Sequence, residues 1–421
     1  MRVISPAFLY CCVVGLASGC VADPTDPTNP TDPGGGGTFK AIKMPAGKEA
    51  VNFSGVYCTS ATQCVVTVST NEFAGVYPVS ETALGDVIVD GKYPGALPTA
   101  AGVLGDVPFV GLDKTRNGIV ARASVAGVFV SATGDITQKS SWTFTPMGKA
   151  DGASLALNDQ AQIQVDATGK WLFLTELGVV YGSATAPSAS TAWTKLWSPQ
   201  QSPTVPANFS TQFAADPTLC NADVTASAVP FISNPAFISQ DGAVIMHPAD
   251  GIAQRGTTKA GVCISTDRGQ HFYSVPFTDV PDANNAGPHG LMCTDNNHCF
   301  ALHGLDFVSD PYIYTTSNAA LGKTSTWTKA ALPASITAAS GVSLRAIFFA
   351  PDGMHGWCVG DLNHKALMLK TIDAGKTWTD VSTSVATVAS SDIYNGFAID
   401  NDHIWIVGRS GTLAFTATAQ K

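Results

Sequence analysis

Short runs of apolar residues, separated by clusters of turn residues, follow one another along most of the chain. The clearest example lies within Ala350–Val381, where an apolar run at Gly356–Gly360 is followed by a polar turn at Asp361–His364. A second apolar run, Leu367–Leu369, leads into the polar segment Thr371–Trp378. Short runs bounded by Gly, Asn and Asp are typical of β-strands joined by tight turns. The pattern predicts antiparallel hairpins that repeat along the chain.

The segment that closes this unit carries the side chains that a tight turn requires. An Asp carboxylate can accept hydrogen bonds from backbone N–H groups one or more residues ahead, and a Thr or Ser hydroxyl can do the same. A Gly at the tip supplies a positive φ, and the aromatic residue that follows offers a large apolar surface to bury. The two clear copies contain Thr371, Asp373, Gly375 and Trp378, and Ser265, Asp267, Gly269 and Phe272.

These two segments resemble the Asp-box of BNR-repeat β-propellers, a superfamily that includes the sialidases. Together with the upstream sequence Gly356–Asp361 (GWCVGD), the unit also resembles propellers of the photosystem II stability and assembly-factor type. The resemblance implies that each Asp-box lies on the outer rim of a blade, between its last two strands, and has a structural role. Because one fold hosts many functions, the resemblance does not imply an activity.

Weaker copies of the unit predict one all-β domain over residues 38–421, a seven-bladed β-propeller. A blade has four strands and needs about 40–50 residues. Six or eight blades also fit, because the first two units lack a clear Asp-box. A pair of β-sandwiches is the alternative, but repeated Trp-Thr-Lys and Trp-Thr-Asp endings favour a ring. The predicted units are Asn52–Val89, Val107–Met147, Ala161–Trp197, Pro235–Phe277, Gly290–Leu332, Leu344–Ser382 and Asn395–Phe415.

The last unit stops after three strands, and a segment near the other end of the domain has the length of a fourth. We predict that Phe39–Pro45 pairs into the seventh unit. This pairing closes the ring and removes a sheet edge that would otherwise invite aggregation. Pro199–Asn234, rich in Pro, Ser and Asn, is predicted to be a long loop between units three and four. Long loops on a rigid scaffold often carry binding functions.

The N-terminus carries an export signal. A basic Arg2 precedes the apolar run Val3–Leu16, which is too short for a membrane span, and small residues follow. We predict a signal peptide over residues 1–19. Leu16–Cys20 (LASGC) resembles the lipobox of bacterial lipoproteins, which implies that Cys20 is lipidated. An ordinary signal peptide cut nearby is the alternative.

The residues after Cys20 suit a membrane anchor. Residues 20–37 repeat Asp-Pro-Thr or Asn-Pro-Thr and end in four glycines, which favours an extended spacer with a swivel. Val21 follows the Cys, and the position lacks the Asp that in enteric lipoproteins favours the inner membrane. By the same resemblance, we predict an exported protein of the outer membrane, the cell surface or the periplasm.

Two pairs of cysteines share the spacing Cys-Thr-x4-Cys. Disulfides persist in exported proteins, so we predict the bonds Cys58–Cys64 and Cys293–Cys299 across short turns. Cys358 is predicted to be buried and free, or to pair with a distant cysteine. Cys220–Cys263 is a further candidate pair that would hold the long loop. A zinc site is the alternative, which export and the hairpin spacing disfavour.

Composition and charge limit the partners. Charged residues make up 13% of the chain, whereas it has 40 Gly and 25 Pro, as expected for many strands and turns. The net charge of −9 argues against nucleic acid and against electrostatic docking to anionic lipid. We predict a monomer without cofactor or metal that binds a protein or a glycan and reaches the membrane only through its lipid anchor.

Catalysis of the sialidase type is the alternative that the resemblance raises. It implies three Arg that converge on a carboxylate, a Tyr paired with a Glu, and an Asp acid. The chain has no Arg-Ile-Pro ahead of the first unit, and its few Glu have no obvious Tyr partner. The six Arg after the signal peptide are Arg116, Arg122, Arg255, Arg268, Arg345 and Arg409. We assign no catalytic residue and expect a non-catalytic interaction or scaffold module, with a sialidase-like glycan hydrolase as the alternative.

Five histidines lie close together in the sequence, with several Asp among them. Their spacing fits no metal-ligand pattern, and we predict solvated loop residues. His289 precedes the first strand of unit five and is the one that could reach the mouth of a central channel. The histidines are His247, His271, His289, His298 and His303.

Overall fold

The computed structural model has seven β-sheets and almost no helix. It describes residues 38–69, 73–90, 109–115, 118–123, 127–131, 134–150, 153–154, 160–175, 180–197, 237–239, 241–249, 260–277, 288, 290–304, 311–337 and 340–417. The predicted signal peptide, linker and long loop at Pro199–Asn234 lie outside these residues. The described helices are short 3-10 turns, Lys139–Ser141, Ala319–Thr324 and Ser382–Ser384. Among the helices in these ranges, none is long and apolar enough to cross a bilayer.

Five sheets are built entirely from four strands that are consecutive in sequence, each antiparallel to the next. The first strand in the chain is β1 (Lys40–Ala41). Blade one contains β2 (Phe53–Ser60), β3 (Gln63–Val68), β4 (Gly75–Val79) and β5 (Val89–Asp90). Blade two contains β6 (Phe109–Thr115), β7 (Gly118–Ala123), β8 (Gly127–Ser131) and β9 (Thr143–Pro146). A small hairpin, β10 (Lys149–Ala150) and β11 (Ala153–Ser154), precedes the strands of blade three, β12 (Gln160–Val165), β13 (Trp171–Thr175), β14 (Val180–Ser183) and β15 (Ala192–Trp197).

The remaining blades repeat the pattern. Blade four contains β16 (Phe237–Ile238), β17 (Ile245–Ala249), β18 (Gly261–Ser265) and β19 (Tyr273–Pro276). Blade five contains β20 (Gly290–Cys293), β21 (Cys299–His303), β22 (Tyr312–Thr316) and β23 (Thr328–Lys329). Blade six contains β24 (Val342–Phe349), β25 (Gly356–Leu362), β26 (Lys365–Thr371) and β27 (Thr379–Asp380). Blade seven contains β28 (Ile393–Ala398), β29 (His403–Gly408) and β30 (Leu413–Ala417), and β1 is its fourth strand.

The blades form a closed ring. Each first strand contacts the first strands of both neighbouring blades, from β2 through β6, β12, β16, β20 and β24 to β28, which contacts β2. Seven sheets therefore surround one axis, which confirms the predicted seven-bladed β-propeller and excludes the pair of sandwiches.

The ends of the domain close the ring as predicted. In β1, Lys40 lies opposite Phe415 and Ala41 opposite Ala414, and the Ile42 N–H donates to the Leu413 carbonyl at 2.9 Å. Phe39 packs in the cluster between blades six and seven, and Ile42 packs in the cluster between blades seven and one. The first described segment of the chain therefore contributes to both interfaces of the last blade.

Two predicted disulfides are present. Cys58–Cys64 joins β2 to β3, and Cys293–Cys299 joins β20 to β21, so both connect the first and second strands of a blade. Each is expected to contribute about 2 kcal/mol by restricting the unfolded chain. Cys358 is buried and free, opposite Ile347, and burial raises the pKa of its thiol. Cys263 is disulfide-bonded, and its predicted partner Cys220 lies outside the described residues.

Blade three contains a feature that the sequence did not predict. β10 pairs in parallel with β15, and β11 adds a sixth strand to this sheet. The Trp193 indole N–H donates to the Met147 carbonyl, which fixes the chain just before β10. Gly148 follows with φ +83°, where a Cβ would collide with the Thr191 carbonyl. The added hairpin thus depends on a contact between residues 46 positions apart.

Candidate functional site

The antiparallel order of the strands gives the propeller two distinct faces. The turns between first and second strands, and those between third and fourth strands, lie on one face, which we call the hairpin face. The turns between second and third strands lie on the opposite face. β30 ends on the hairpin face, and β1 begins there because it runs antiparallel to β30. Both ends of the described chain therefore leave the propeller on the hairpin face.

A cleft of about 780 Å³ opens on the hairpin face, beside the axis. Its walls are the ends of β6, β12 and β16 and the turn after β20, so blades two to five all contribute. This volume lies within the range of about 300–1,000 Å³ that is usual for ligand sites. The polar side chains that line the cleft include Asp113, Gln162, Gln164, Asp241, Asp295 and Asn296.

Gln162 joins the first strands of two blades. Its Nε2 donates to the Ile238 carbonyl at 3.1 Å, and its Oε1 accepts from the Ile238 N–H at 2.6 Å. The side-chain amide therefore bonds to β16 as a neighbouring strand would. Since both polar atoms of this amide are engaged, Gln162 holds the wall of the cleft in place.

Gln164 is buried at the same site with one polar atom unused. Its Nε2 donates to the Lys114 carbonyl at 2.6 Å, and the nearby Asp113 Oδ2 accepts from the Ile163 N–H at 3.1 Å. Gln164 is only 4% exposed, and among the described residues its Oε1 has no hydrogen-bond partner. An unmet buried acceptor costs about 1–3 kcal/mol. A donor supplied by a ligand or by water would relieve this cost.

Two Asp at the edge of the cleft accept several hydrogen bonds each. Asp241 accepts from the Ser239 hydroxyl, the Ala243 N–H and Asn296 Nδ2, the last at 2.7 Å. Asp295 accepts from the N–H groups of Asn297 and His298. Burial alone would raise the pKa of both carboxyls, but these hydrogen bonds outweigh it and lower the pKa. Both carboxylates are therefore ionised at neutral pH.

The segments predicted to be Asp-boxes lie between the third and fourth strands of blades four and six. Asp267 Oδ1 accepts from the N–H groups of Gln270 and His271, and Asp373 Oδ1 accepts from the Thr377 N–H at 3.0 Å. In both turns the preceding hydroxyl accepts from the N–H of the Gly at the tip. Phe272 and Trp378 are buried. These hydrogen bonds give the two segments a role in holding their turns.

The histidines are dispersed, and the prediction of solvated loop residues is wrong for two of them. His247 lies in β17 and His303 in β21. Both are buried, and the ring of each lies beside an aromatic ring. His271 and His298 lie in turns beside Asp267 and Asp295, and His289 is outside the described residues. In the part of the chain that the structure describes, no three His, Cys, Asp or Glu are placed to hold a metal ion.

A recurring Asp-x-x-His turn was visible in the sequence but was not recognised. It joins the first and second strands in blades five, six and seven. In each copy the Asp accepts from the His backbone N–H, and the His Nδ1 lies 2.6–2.9 Å from the same carboxylate. The pairs are Asp295 with His298, Asp352 with His355, and Asp400 with His403.

The described arginines do not form a cluster of the sialidase type. Arg268 Nε lies 3.3 Å from Asp166 Oδ2 on the hairpin face, and so joins blade four to blade three. Arg345 Nη2 lies 3.5 Å from Asp392 Oδ2, between blades six and seven. Arg409 lies in a turn between second and third strands, on the opposite face. Arg116, Arg255 and the side chain of Arg122 are outside the described part.

A second polar cluster, between blades six and seven, contains a carboxyl with a raised pKa. Asp361 is 1% exposed and lies opposite Ser343. Burial and the charge of Asp392 raise the pKa of Asp361, against the opposing effects of the His364 N–H and Arg345. Three buried atoms have no hydrogen-bond partner among the residues described: Asp361 Oδ1, Ser343 Oγ and Arg345 Nε.

Replacing Asp361 by Asn is expected to stabilise the fold at pH 7 by about 1 kcal/mol and to change little at pH 4. The unfolded carboxyl has a pKa of about 3.9, and the folded pKa is higher. The wild type therefore binds more protons when folded, and it loses stability as the pH rises from about 4 through the folded pKa. Urea unfolding at both pH values measures the difference, with exposed Asp402→Asn as the control. An equal effect of Asp361→Asn at both pH values would contradict the prediction.

No protein-family model and no curated protein matches this chain. Solved structures do resemble it. YCF48 bound to a D1 peptide has a TM-score of 0.53 at 12% identity, with 90% of this chain and 97% of that one covered. YCF48 from Cyanidioschyzon merolae has a TM-score of 0.50 at 10% identity, with 90% and 98% covered.

An extracellular protein shares the architecture as well. The extracellular domain of BT4673 from B. thetaiotaomicron has a TM-score of 0.52 at 11% identity, with 90% of this chain but only 40% of that one covered. At such low identity the similarities show a shared fold, the β-propeller, and they identify no function for this chain.

Proposed function

We propose that this protein is an exported, lipid-anchored propeller that binds a protein partner through the cleft on its hairpin face. The observation that carries the proposal is the cleft itself, with the unused, buried Oε1 of Gln164 beside ionised carboxylates. The cleft is formed by four blades and is held by side-chain hydrogen bonds between first strands. A site built on rigid strands suits recognition because little order has to be gained on binding.

Export is supported by the cysteines. Disulfides form and persist in oxidising compartments, and two are present among the described residues. The N-terminal sequence fits this location, with Cys20 as the lipidated residue and residues 20–37 as the spacer. We place the protein at the outer membrane because Val21, the residue that follows Cys20, is not the Asp that favours the inner membrane in enteric lipoproteins.

The position of the chain ends relates the anchor to the cleft. Residue 38 lies on the hairpin face, so a linker from a lipidated Cys20 joins the propeller on the face that bears the cleft. At roughly 3.1 Å per residue, an extended linker of this length would reach about 55 Å. The partner would then be an envelope protein within that distance of the membrane.

A protein partner agrees better with the site than a hydrolysed glycan. YCF48, which has a similar fold, has been solved with a D1 peptide, so a propeller of this architecture can hold a polypeptide segment. The sialidase-type alternative has no support from Arg268, Arg345 and Arg409, because they do not converge on one point. The first two pair with separate Asp residues, and Arg409 lies on the opposite face.

Blocking the cleft is expected to abolish capture of the partner. Ala167 is exposed and lines the cleft, so Ala167→Trp fills it without disturbing the core. Ala320→Trp, in the exposed 3-10 turn of blade five, is the matched control. Each full-length variant is used to capture proteins from solubilised envelope after crosslinking, followed by mass spectrometry. We expect the partner with wild type and Ala320→Trp, and a reduction of about tenfold or more with Ala167→Trp. Equal capture by both variants, or turnover of a glycan on an array, would overturn the proposal.

A further inference from the structure

We infer that the cleft recognises a basic segment, in which a lysine or arginine side chain of an extended peptide enters beside Gln164. The inference rests on the proposed function and specifies the chemistry of the partner. It follows from the charges, the unused acceptor and the apolar surfaces of the same cleft.

The charges in the cleft favour a cation. Asp113, Asp241 and Asp295 line it, and Lys114 is the one Lys or Arg among its described lining residues. Hydrogen bonds lower the pKa of Asp241 and Asp295 despite their burial, so these carboxylates keep their charge at neutral pH. An acidic segment would meet like charges, which cost several kcal/mol when they face each other at an interface.

The unused atom of Gln164 requires a donor. Its Nε2 is already bonded to the Lys114 carbonyl, so the partner has to meet Oε1, which can only accept. Ammonium and guanidinium groups carry several N–H donors and no acceptor. A cationic side chain therefore satisfies the buried oxygen and the excess negative charge together.

The apolar lining suits the stem of such a side chain. Leu112, Phe237 and Ile238 line the cleft beside the polar groups, with Leu112 and Phe237 half-buried. Lysine and arginine bury their methylene chains on apolar surface and direct the charge towards polar groups. The hydroxyls of a neutral sugar could donate to the amides and to the carboxylates, but a sugar carries no positive charge to balance the three carboxylates. The combination of features favours a basic peptide over a glycan.

Fluorescence anisotropy with two labelled probe peptides tests the inference. The first probe alternates lysine and glycine, the second glutamate and glycine, and the full chain is kept in non-ionic detergent. We expect the lysine peptide to bind at low salt and to bind more weakly at high salt, and the glutamate peptide not to bind. Asp113→Asn and Gln164→Leu should each weaken lysine-peptide binding about tenfold, the equivalent of one charged hydrogen bond.

Two controls make the result decisive. Asp402→Asn removes a carboxylate from the same face outside the cleft, and should change the affinity by less than about twofold. Circular dichroism melting of each variant shows whether it is folded. If Gln164→Leu fails to fold, Asp113→Asn still tests the inference, because the Asn side chain keeps an oxygen that accepts from the Ile163 N–H. Equal effects of Asp113→Asn and Asp402→Asn, or binding of the glutamate peptide, would overturn the basic preference. If Ala167→Trp still abolishes capture of the partner, the proposed function stands without that preference.

Discussion

A chain shortened to begin at residue 46 is expected to lose the folded state or to aggregate. The shortening removes β1 together with Phe39 and Ile42, which are 4% and 3% exposed. Burying a large apolar side chain is worth about 1.5–3 kcal/mol, and each lost hydrogen bond about 1 kcal/mol. The total of roughly 5–8 kcal/mol approaches the whole stability of many domains, about 5–15 kcal/mol. Size-exclusion chromatography and circular dichroism melting measure the outcome.

A chain that begins at residue 38 is the matched control, because it lacks the predicted signal and linker but keeps β1. It should remain soluble with an unchanged unfolding midpoint. The shortened chain also leaves β30 as an exposed sheet edge, which can pair with other strands. A synthetic peptide of residues 38–45 should therefore restore solubility when added. A folded, monomeric chain from residue 46 would show that β1 is dispensable.

The ring could be predicted because its determinants are local in sequence. The apolar runs and the turn residues between them specify hairpins one by one, and seven such units are visible. Two of these units carry the full turn pattern, with a Gly at the tip and a Trp or Phe after it. Even the pairing of β1 with β30, between opposite ends of the domain, followed from counting strands, because the last unit lacked one and Phe39–Pro45 was left over.

The cleft could not be predicted, because its contacts join residues that the sequence holds far apart. Gln164 bonds to the carbonyl of Lys114, 50 residues earlier, and Gln162 to Ile238, 76 residues later. Neither glutamine belongs to a recognisable motif. Because a polar residue in a strand is usually exposed, the sequence does not indicate that these two side chains bond to another blade. Only the convergence of the first strands on one axis turns these side chains towards neighbouring blades. Trp193, which bonds to Met147, fixes the additional hairpin of blade three in the same long-range way.

Some signals were present in the sequence and could have been used. The Asp-x-x-His turn occurs three times at equivalent places in blades five to seven, as His298, His355 and His403 show. Its regular spacing marks the turn between first and second strands as clearly as Asp267 and Asp373 mark the turn between third and fourth strands. Repeated turn motifs thus locate the hairpin face from sequence, although they do not locate the cleft.

Replacing Phe277 by Ala is expected to lower the free energy of unfolding by about 3–5 kcal/mol. Phe277 follows β19 of blade four, is fully buried, and packs into the cluster shared with blade five. Its ring stacks on Tyr314 at 4.1 Å between centroids and lies 5.7 Å from Trp327. Removing it leaves a cavity between two blades that the surrounding rings cannot fill without leaving their positions. The urea midpoint, monitored by tryptophan fluorescence, measures the loss.

Phe144→Ala is the matched control for this effect. Phe144 lies in β9 and is half-buried, with its ring 5.1 Å from that of Phe129 within one blade. Its removal leaves no closed cavity, because water reaches the site, so we expect a loss of about 1–2 kcal/mol. If stability resides in the interfaces between blades, Phe277→Ala must cost clearly more than Phe144→Ala. Equal losses would indicate that each blade is stabilised mainly by its own sheet. The blades would then fold without requiring the contacts that close the ring.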